Sequence, residues 1–107
     1  MARRNPRRRS RKASPPLVVG IAWYDATQWA KLKQIAADPD ELDESHEAWQ
    51  RTAERTLQQL AAQGLAVRRI PIDVDALVQW CRADNKAIDG VARAEYTSLI
   101  VNGAIPG

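Results

Sequence analysis

The sequence predicts a small α/β domain of order β-α-α-β-α-α, with a two-stranded parallel sheet and four helices behind a basic tail. Three observations lead there. Two short runs rich in β-branched residues, Leu17 to Tyr24 and Leu65 to Ile72, stand well apart in the chain. The stretch between them, and the stretch after the second, place apolar residues at a 3.6-residue period. Each of those stretches is divided once by residues that cap or break helices. A helical connection of that length favours parallel strands joined by a right-handed crossover.

The first run, Leu17-Val-Val-Gly-Ile-Ala-Trp-Tyr24, carries no charge and reads as a strand buried on both faces. Asp25 stands where a helix N-cap belongs, and Gln28 three residues later completes a pair resembling a capping box. A helix is expected from about Ala26 to Ala37, with Trp29, Leu32 and Ala36 inward and Lys31, Lys33 and Gln34 outward. Asp38-Pro39 reads as a cap followed by proline at the first helical position, where a missing N–H costs nothing. The second helix is therefore expected from Pro39 to the C′ glycine Gly64, with Leu42, His46, Trp49, Ala53, Leu57 and Leu60 on one face.

In the second run Pro71 cannot donate to a ladder, so the later half of that strand should lie at an edge or leave the sheet. Asp73 caps a third helix, Val74 to Ala83, with Ile72 and Leu77 as a hydrophobic staple and Val74, Leu77, Val78 and Cys81 inward. Asp84-Asn85-Lys86 closes it. Asp89-Gly90 opens a fourth helix that runs to about Val101, with Ala92, Tyr96 and Leu99 inward, and Asn102-Gly103 stops it. The globular domain is expected over residues 17–103, with Ala104 to Gly107 frayed. A sheet of only two strands buries its faces poorly, so helices over its edges or a homodimer that shares them is expected.

Size and charge narrow the function classes. A chain of 107 residues has room for one domain and a tail. Its net charge of +3 hides an asymmetry. Arg3, Arg4, Arg7, Arg8, Arg9, Arg11 and Lys12 put seven cations and no acid in the first twelve residues, while the rest carries nine Lys and Arg against thirteen Asp and Glu. Residues 1–16 hold almost nothing that can be buried and include Pro6, Pro15 and Pro16, so a disordered tail is expected. Those seven cations are candidate nucleic-acid contacts, because each one that neutralises a phosphate releases a condensed counterion. The plainer reading is a solubilising extension. A secretory signal is not expected, since the apolar run after Pro16 meets Asp25 without a small-residue cleavage site. No apolar run reaches the length of a membrane span. A single cysteine, Cys81, argues for a reducing cytoplasm.

The run Val19-Gly-Ile-Ala-Trp-Tyr24, the Trp49 helix, Asp73-Val-Asp75 followed by Trp80-Cys-Arg82, and Gly90-Val-Ala-Arg-Ala-Glu-Tyr96 together resemble a family of small uncharacterised bacterial proteins. The resemblance covers about residues 18–101. It implies a bacterial source and one compact domain beginning near residue 18, and it brings no activity. The Arg-rich tail lies outside it.

Candidate chemistry is sparse. In parallel sheets ligands gather at the carboxyl ends of the strands, and Asp25, Asp73 and Asp75 fall there as candidate ligands for a hard cation such as magnesium. Their plainer roles are two N-caps and a favourable charge in a first helical turn. Cys81 and His46 are the only thiol and imidazole, but both fall on apolar stripes, and together they cannot furnish the four ligands of a structural zinc site. The last two helices, joined by Asp84 to Asp89, can be drawn as a helix-turn-helix that reads with Arg93, Tyr96 and Thr97. One basic residue beside Glu95 and a long connection favour a packed hairpin. Trp23 and Trp80 are candidate interface anchors. With no phosphate-binding glycine loop, no Ser-His-Asp order and no dinucleotide fingerprint, no cofactor is expected. The leading expectation is a non-enzymatic domain that acts through protein contacts, with a tail able to touch nucleic acid. The alternatives are a nucleic-acid or ribosome-associated factor and a metal-dependent enzyme with an acidic site.

Overall fold

A computed structural model describes residues 17–107; the seven candidate cations Arg3 to Lys12 and the expected tail lie outside the described residues. In chain order it contains β1 (Val18–Trp23), α1 (Ala26–Ile35), a single 3-10 turn (Pro39–Glu41), α2 (His46–Ala62), β2 (Ala66–Pro71), α3 (Val74–Ala83) and α4 (Gly90–Val101). The order is β-α-α-β-α-α, and β1 and β2 are parallel, from Val18 opposite Ala66 to Trp23 opposite Pro71.

The ladder has a definite parity. Ala66 N–H donates to the Leu17 carbonyl at 3.1 Å, and Ile72 N–H donates to the Trp23 carbonyl at 3.0 Å. In a parallel pair every second residue of a strand addresses the neighbouring strand. Leu17, Val19, Ile21 and Trp23 therefore face β2, while the backbone groups of Val18, Gly20 and Ala22 point the other way. On β2 the outward residues are Val67, Arg69 and Pro71, so the missing N–H of Pro71 removes no ladder bond.

One face of the sheet lies beneath α4. A Cβ at Gly20 would overlap Val101 Cγ2 and press on Ile70 Cγ1 at 3.0 Å, so glycine is what lets the helix come this close. On the other face Trp23 meets Trp49 of α2 edge-on, with ring centroids 5.2 Å apart. β1 is not buried on both faces as its apolar run predicts. Val18 is exposed and Val19 to Trp23 are half-buried, because a two-stranded sheet leaves the flank of β1 open.

The second helix also departs from its expected start. Pro39 begins only the 3-10 turn, and Leu42 then adopts an extended conformation. The helix starts at His46 behind Ser45, whose hydroxyl accepts from Ala48 N–H at 3.0 Å. Asp38 makes no capping bond of its own, because its carboxylate is held by groups far along the chain. The other caps form as expected: Asp25 Oδ1 accepts from Gln28 N–H at 2.8 Å, Asp73 Oδ1 from Asp75 and Ala76, and Asp89 Oδ1 from Ala92.

Leu32, Val74, Leu77 and Cys81 form the driest part of the core, joined by Ile70, Ile72, Trp29, Tyr24, Ala92 and Tyr96. In α4 the third inward residue is Thr97 rather than Leu99. Thr97 Oγ1 donates to the Arg93 carbonyl at 2.8 Å, so the hydroxyl is satisfied within its own helix and the methyl can pack at Gly20. Beyond α4, Ala104 N–H donates to the Leu99 carbonyl and Ile105 packs against the core. No helix among the described residues is long and apolar enough to cross a membrane.

Candidate functional site

Parallel pairing brings the carboxyl ends of β1 and β2 to one rim, where Asp25 and Asp73 follow the two strands. The polar groups of that rim are committed to structure. Asp25 and Asp73 cap α1 and α3, and Asp75 pairs with Lys31 Nζ at 2.9 Å, which raises the lysine pKa chiefly through that hydrogen bond. Gln28 Oε1 accepts from Val74 N–H at 2.7 Å, tying the start of one helix to the start of the other. His46 Nε2 lies 2.7 Å from the Tyr24 carbonyl, positioned to donate to it. Among the described residues no three His, Cys, Asp or Glu side chains converge as a metal site would require.

Cys81 is fully buried, and burial pushes its thiol pKa up, with Asp89, Lys86 and Glu95 as the charges that act on it. A nucleophilic cysteine needs the opposite setting, exposed and electropositive. The reading-helix arrangement does not form either. Tyr96 and Thr97 are buried, and Arg93 is engaged with Asp38. Trp23 and Trp80 are both half-buried. Trp23 lies against Trp49 with the Arg69 guanidinium 4.7 Å from its ring centroid, and Trp80 lies against Tyr96 with Lys86 Nζ at 5.6 Å.

One feature with spare binding capacity is the outer edge of β1. A recess of about 400 Å³ runs beside Gly20, Ile21 and Ala22, bounded by Arg93, Ala94, Thr97 and Ser98 of α4 and closed by Leu42, Trp29 and Trp49. A second recess of about 290 Å³ continues it along Leu17 to Gly20, past Ser98, Val101 and Asn102. Gly20 and Ser98 border both, so the groove follows the strand for its whole length. Among the described residues nothing bonds the outward N–H and C=O groups of Val18, Gly20 and Ala22. The next outward carbonyl, that of Tyr24, is the one that meets His46, which ends the open edge.

One end of the groove is walled by aromatic rings. Rings of Tyr24, Trp29 and Trp49 meet with centroids 5.4 to 5.9 Å apart. The buried indole N–H of Trp29 has no acceptor among the described residues. Beside them Arg93 Nη1 donates to Asp38 Oδ1 at 2.7 Å and Nη2 to Oδ2 at 3.1 Å, and Gly90 N–H reaches the same carboxylate at 3.0 Å. Burial pushes the Tyr24 hydroxyl up to about 12, with Arg93 opposing that rise and Asp38 adding to it.

The Asp38–Arg93 pair and the groove are absent from the sequence-level candidates. Asp38 looks like an ordinary cap, and only the fold brings Arg93 to it. The open edge follows from ladder parity, which the sequence of one strand does not contain. Compared with protein-family models, curated proteins and solved structures, the chain finds no match, so the bacterial resemblance gains no family from these comparisons.

Proposed function

We propose that this chain is a non-enzymatic interaction domain that works through protein contacts and receives an extended segment as a third strand along the open edge of β1. The supporting observation is the contrast between its two edges. Natural sheets blunt a free edge with charge and proline. β2 turns Arg69 and Pro71 to its outer side, with Arg68 beside them. β1 carries no charged residue from Leu17 to Tyr24 and offers three N–H and three C=O groups in a lined groove. Strand addition uses these elements: main-chain bonds give affinity, and flanking pockets select side chains. The committed carboxylates of the strand rim give the metal-dependent alternative no comparable support.

The test is a titration of uncharged extended peptides, selected by display against the full chain, followed by backbone amide NMR. The Val18, Gly20 and Ala22 resonances should move, and N-methylation of alternate peptide positions should abolish the effect. Selected ligands that move Val67 and Arg69 instead would refute the assignment.

The second reading, a nucleic-acid or ribosome-associated factor, rests on the seven cations of Arg3 to Lys12. Such an arm adds sequence-independent affinity that falls with salt. Fluorescence anisotropy of RNA and duplex DNA with the full chain and with a form beginning at Ser14 separates the two readings. A cytoplasmic setting, read from the lone cysteine, and a bacterial source belong to the same proposal.

A further inference from the structure

We propose that the segment seated on the open edge is β1 of a second copy of this chain, antiparallel and centred on Gly20, so that two sheets join as one of four strands. This rests on the strand-addition reading and names its partner. The occupant must bring free N–H and C=O groups at alternate residues and small or apolar side chains without charge. Residues 1–16 fail on charge, since the seven cations of Arg3 to Lys12 would meet no acidic lining residue, and the one charged side chain of the groove, Arg93, is already paired with Asp38. β1 itself meets every condition.

Its register is self-complementary. In an antiparallel ladder a hydrogen-bonded pair exchanges both of its N–H to C=O bonds. The outward residues are Val18, Gly20 and Ala22, so a two-fold axis at Gly20 pairs Gly20 with its counterpart and Val18 with Ala22 of the other copy. The outward groups of Val18, Gly20 and Ala22 then all have partners, and the axis passes between the two copies of the residue with no side chain. The ladder cannot extend further at its carboxyl end, because the Tyr24 carbonyl is occupied by His46.

Exposed apolar side chains agree with that placement. Leu17 is 71 % exposed and Val18 41 %, both lining the groove, and Val91, one turn before Ala94 on α4, is 78 % exposed. They account for three of the four large exposed apolar residues among the described ones, the other being Ile35. The flank of α4 that borders the strand presents Ala94 and Ser98, small enough to leave room for a neighbouring chain. A closed two-fold interface is isologous, so the same patch serves both copies.

Sedimentation velocity on the full chain, from low micromolar to near-millimolar concentration, should show reversible doubling of the 11.9 kDa mass. Over the same range the Gly20 and Ala22 amides should gain protection from hydrogen exchange, while Val19 and Ile21, bonded to β2, stay protected throughout. Ser98→Arg places like charges on both sides of the axis, and Val18→Pro removes one outward N–H without touching the ladder to β2. Each should weaken the dimer by about tenfold or more, with thermal unfolding of the monomer little changed. A chain that stays monomeric overturns the inference, as does a dimer whose Gly20 and Ala22 amides remain open or that both variants leave intact. A monomer that still binds peptides at β1 would overturn the second-copy partner alone and leave the strand-addition reading standing.

Discussion

Asp38→Ala tests whether the clamp between the start of the 3-10 turn and α4 holds the aromatic end of the groove. The substitution removes two charge-assisted bonds to Arg93 and one from Gly90 N–H. Bonds to charged groups contribute about 1.5 to 3 kcal/mol each. The two to Arg93 act as one bidentate unit, and water reaches the site, with the Asp38 and Arg93 side chains 21 % and 13 % exposed. The expected loss is therefore about 2 to 3 kcal/mol, nearer one strong contact than three. For a domain of this size that lowers Tm by roughly 10 to 20 °C. Urea unfolding followed by tryptophan fluorescence measures the loss, and a cycle with Arg93→Met should return about 1 to 2 kcal/mol of coupling. The pH dependence has a definite sign. Hydrogen bonding to Arg93 holds the Asp38 carboxyl below the usual carboxylate range, against the opposing effect of burial. A depressed carboxylate stabilises fully above the pH at which the unfolded aspartate ionises, and that stabilisation fades as pH falls through the folded-state value. The gap between wild type and Asp38→Asn should thus be complete at neutral pH and close below about pH 4. A loss under about 0.5 kcal/mol, within the range of ordinary surface substitutions, or a gap unchanged in acid, would refute the clamp.

Other perturbations probe the rest of the architecture. Trp49→Ala removes the ring that meets Trp23, Tyr24, Trp29 and His46, and since Trp49 is only half-buried its cost should fall at the lower end of about 3 to 5 kcal/mol, read by chemical denaturation. Tyr24 should resist ionisation in an alkaline ultraviolet titration. Burial lifts its folded pKa from the ordinary tyrosine value of 10.0 to about 12, so stability should be full below the unfolded value and drain away as pH rises between the two. Asp73→Ala should cost about 1 kcal/mol through loss of the α3 cap, by the same amount with or without magnesium in calorimetry; a cost that appears only with the metal would restore the acidic-rim reading.

Local chemistry was legible where a residue meets neighbours a few positions away. Asp25, Asp73 and Asp89 cap helices because an N-cap needs only the next turn, and Trp29, Leu32, Leu77 and Cys81 face inward because helical periodicity places them there. Sequence reasoning erred where distant residues competed. Asp38-Pro39 has the signature of a helix start, yet Gly90 and Arg93 draw its carboxylate away and Ser45 takes over as the cap. The acidic residues after the strands do arrive at one rim, but each is already bonded within the fold. The open edge stayed hidden for another reason. Whether Gly20 or Ile21 faces outward depends on the register with β2, and a one-residue slip would reverse it.

β1 is completed by α4, the last helix among the described residues. The ladder partner of β1 comes only after α1 and α2, and the cover over Gly20 comes from Thr97 and Val101 of α4. During synthesis β1 must therefore wait for β2 to pair its inner edge and then for α4 to cover its Gly20 face. The domain should therefore acquire its structure late and in one cooperative step whose rate is set by closing these long loops.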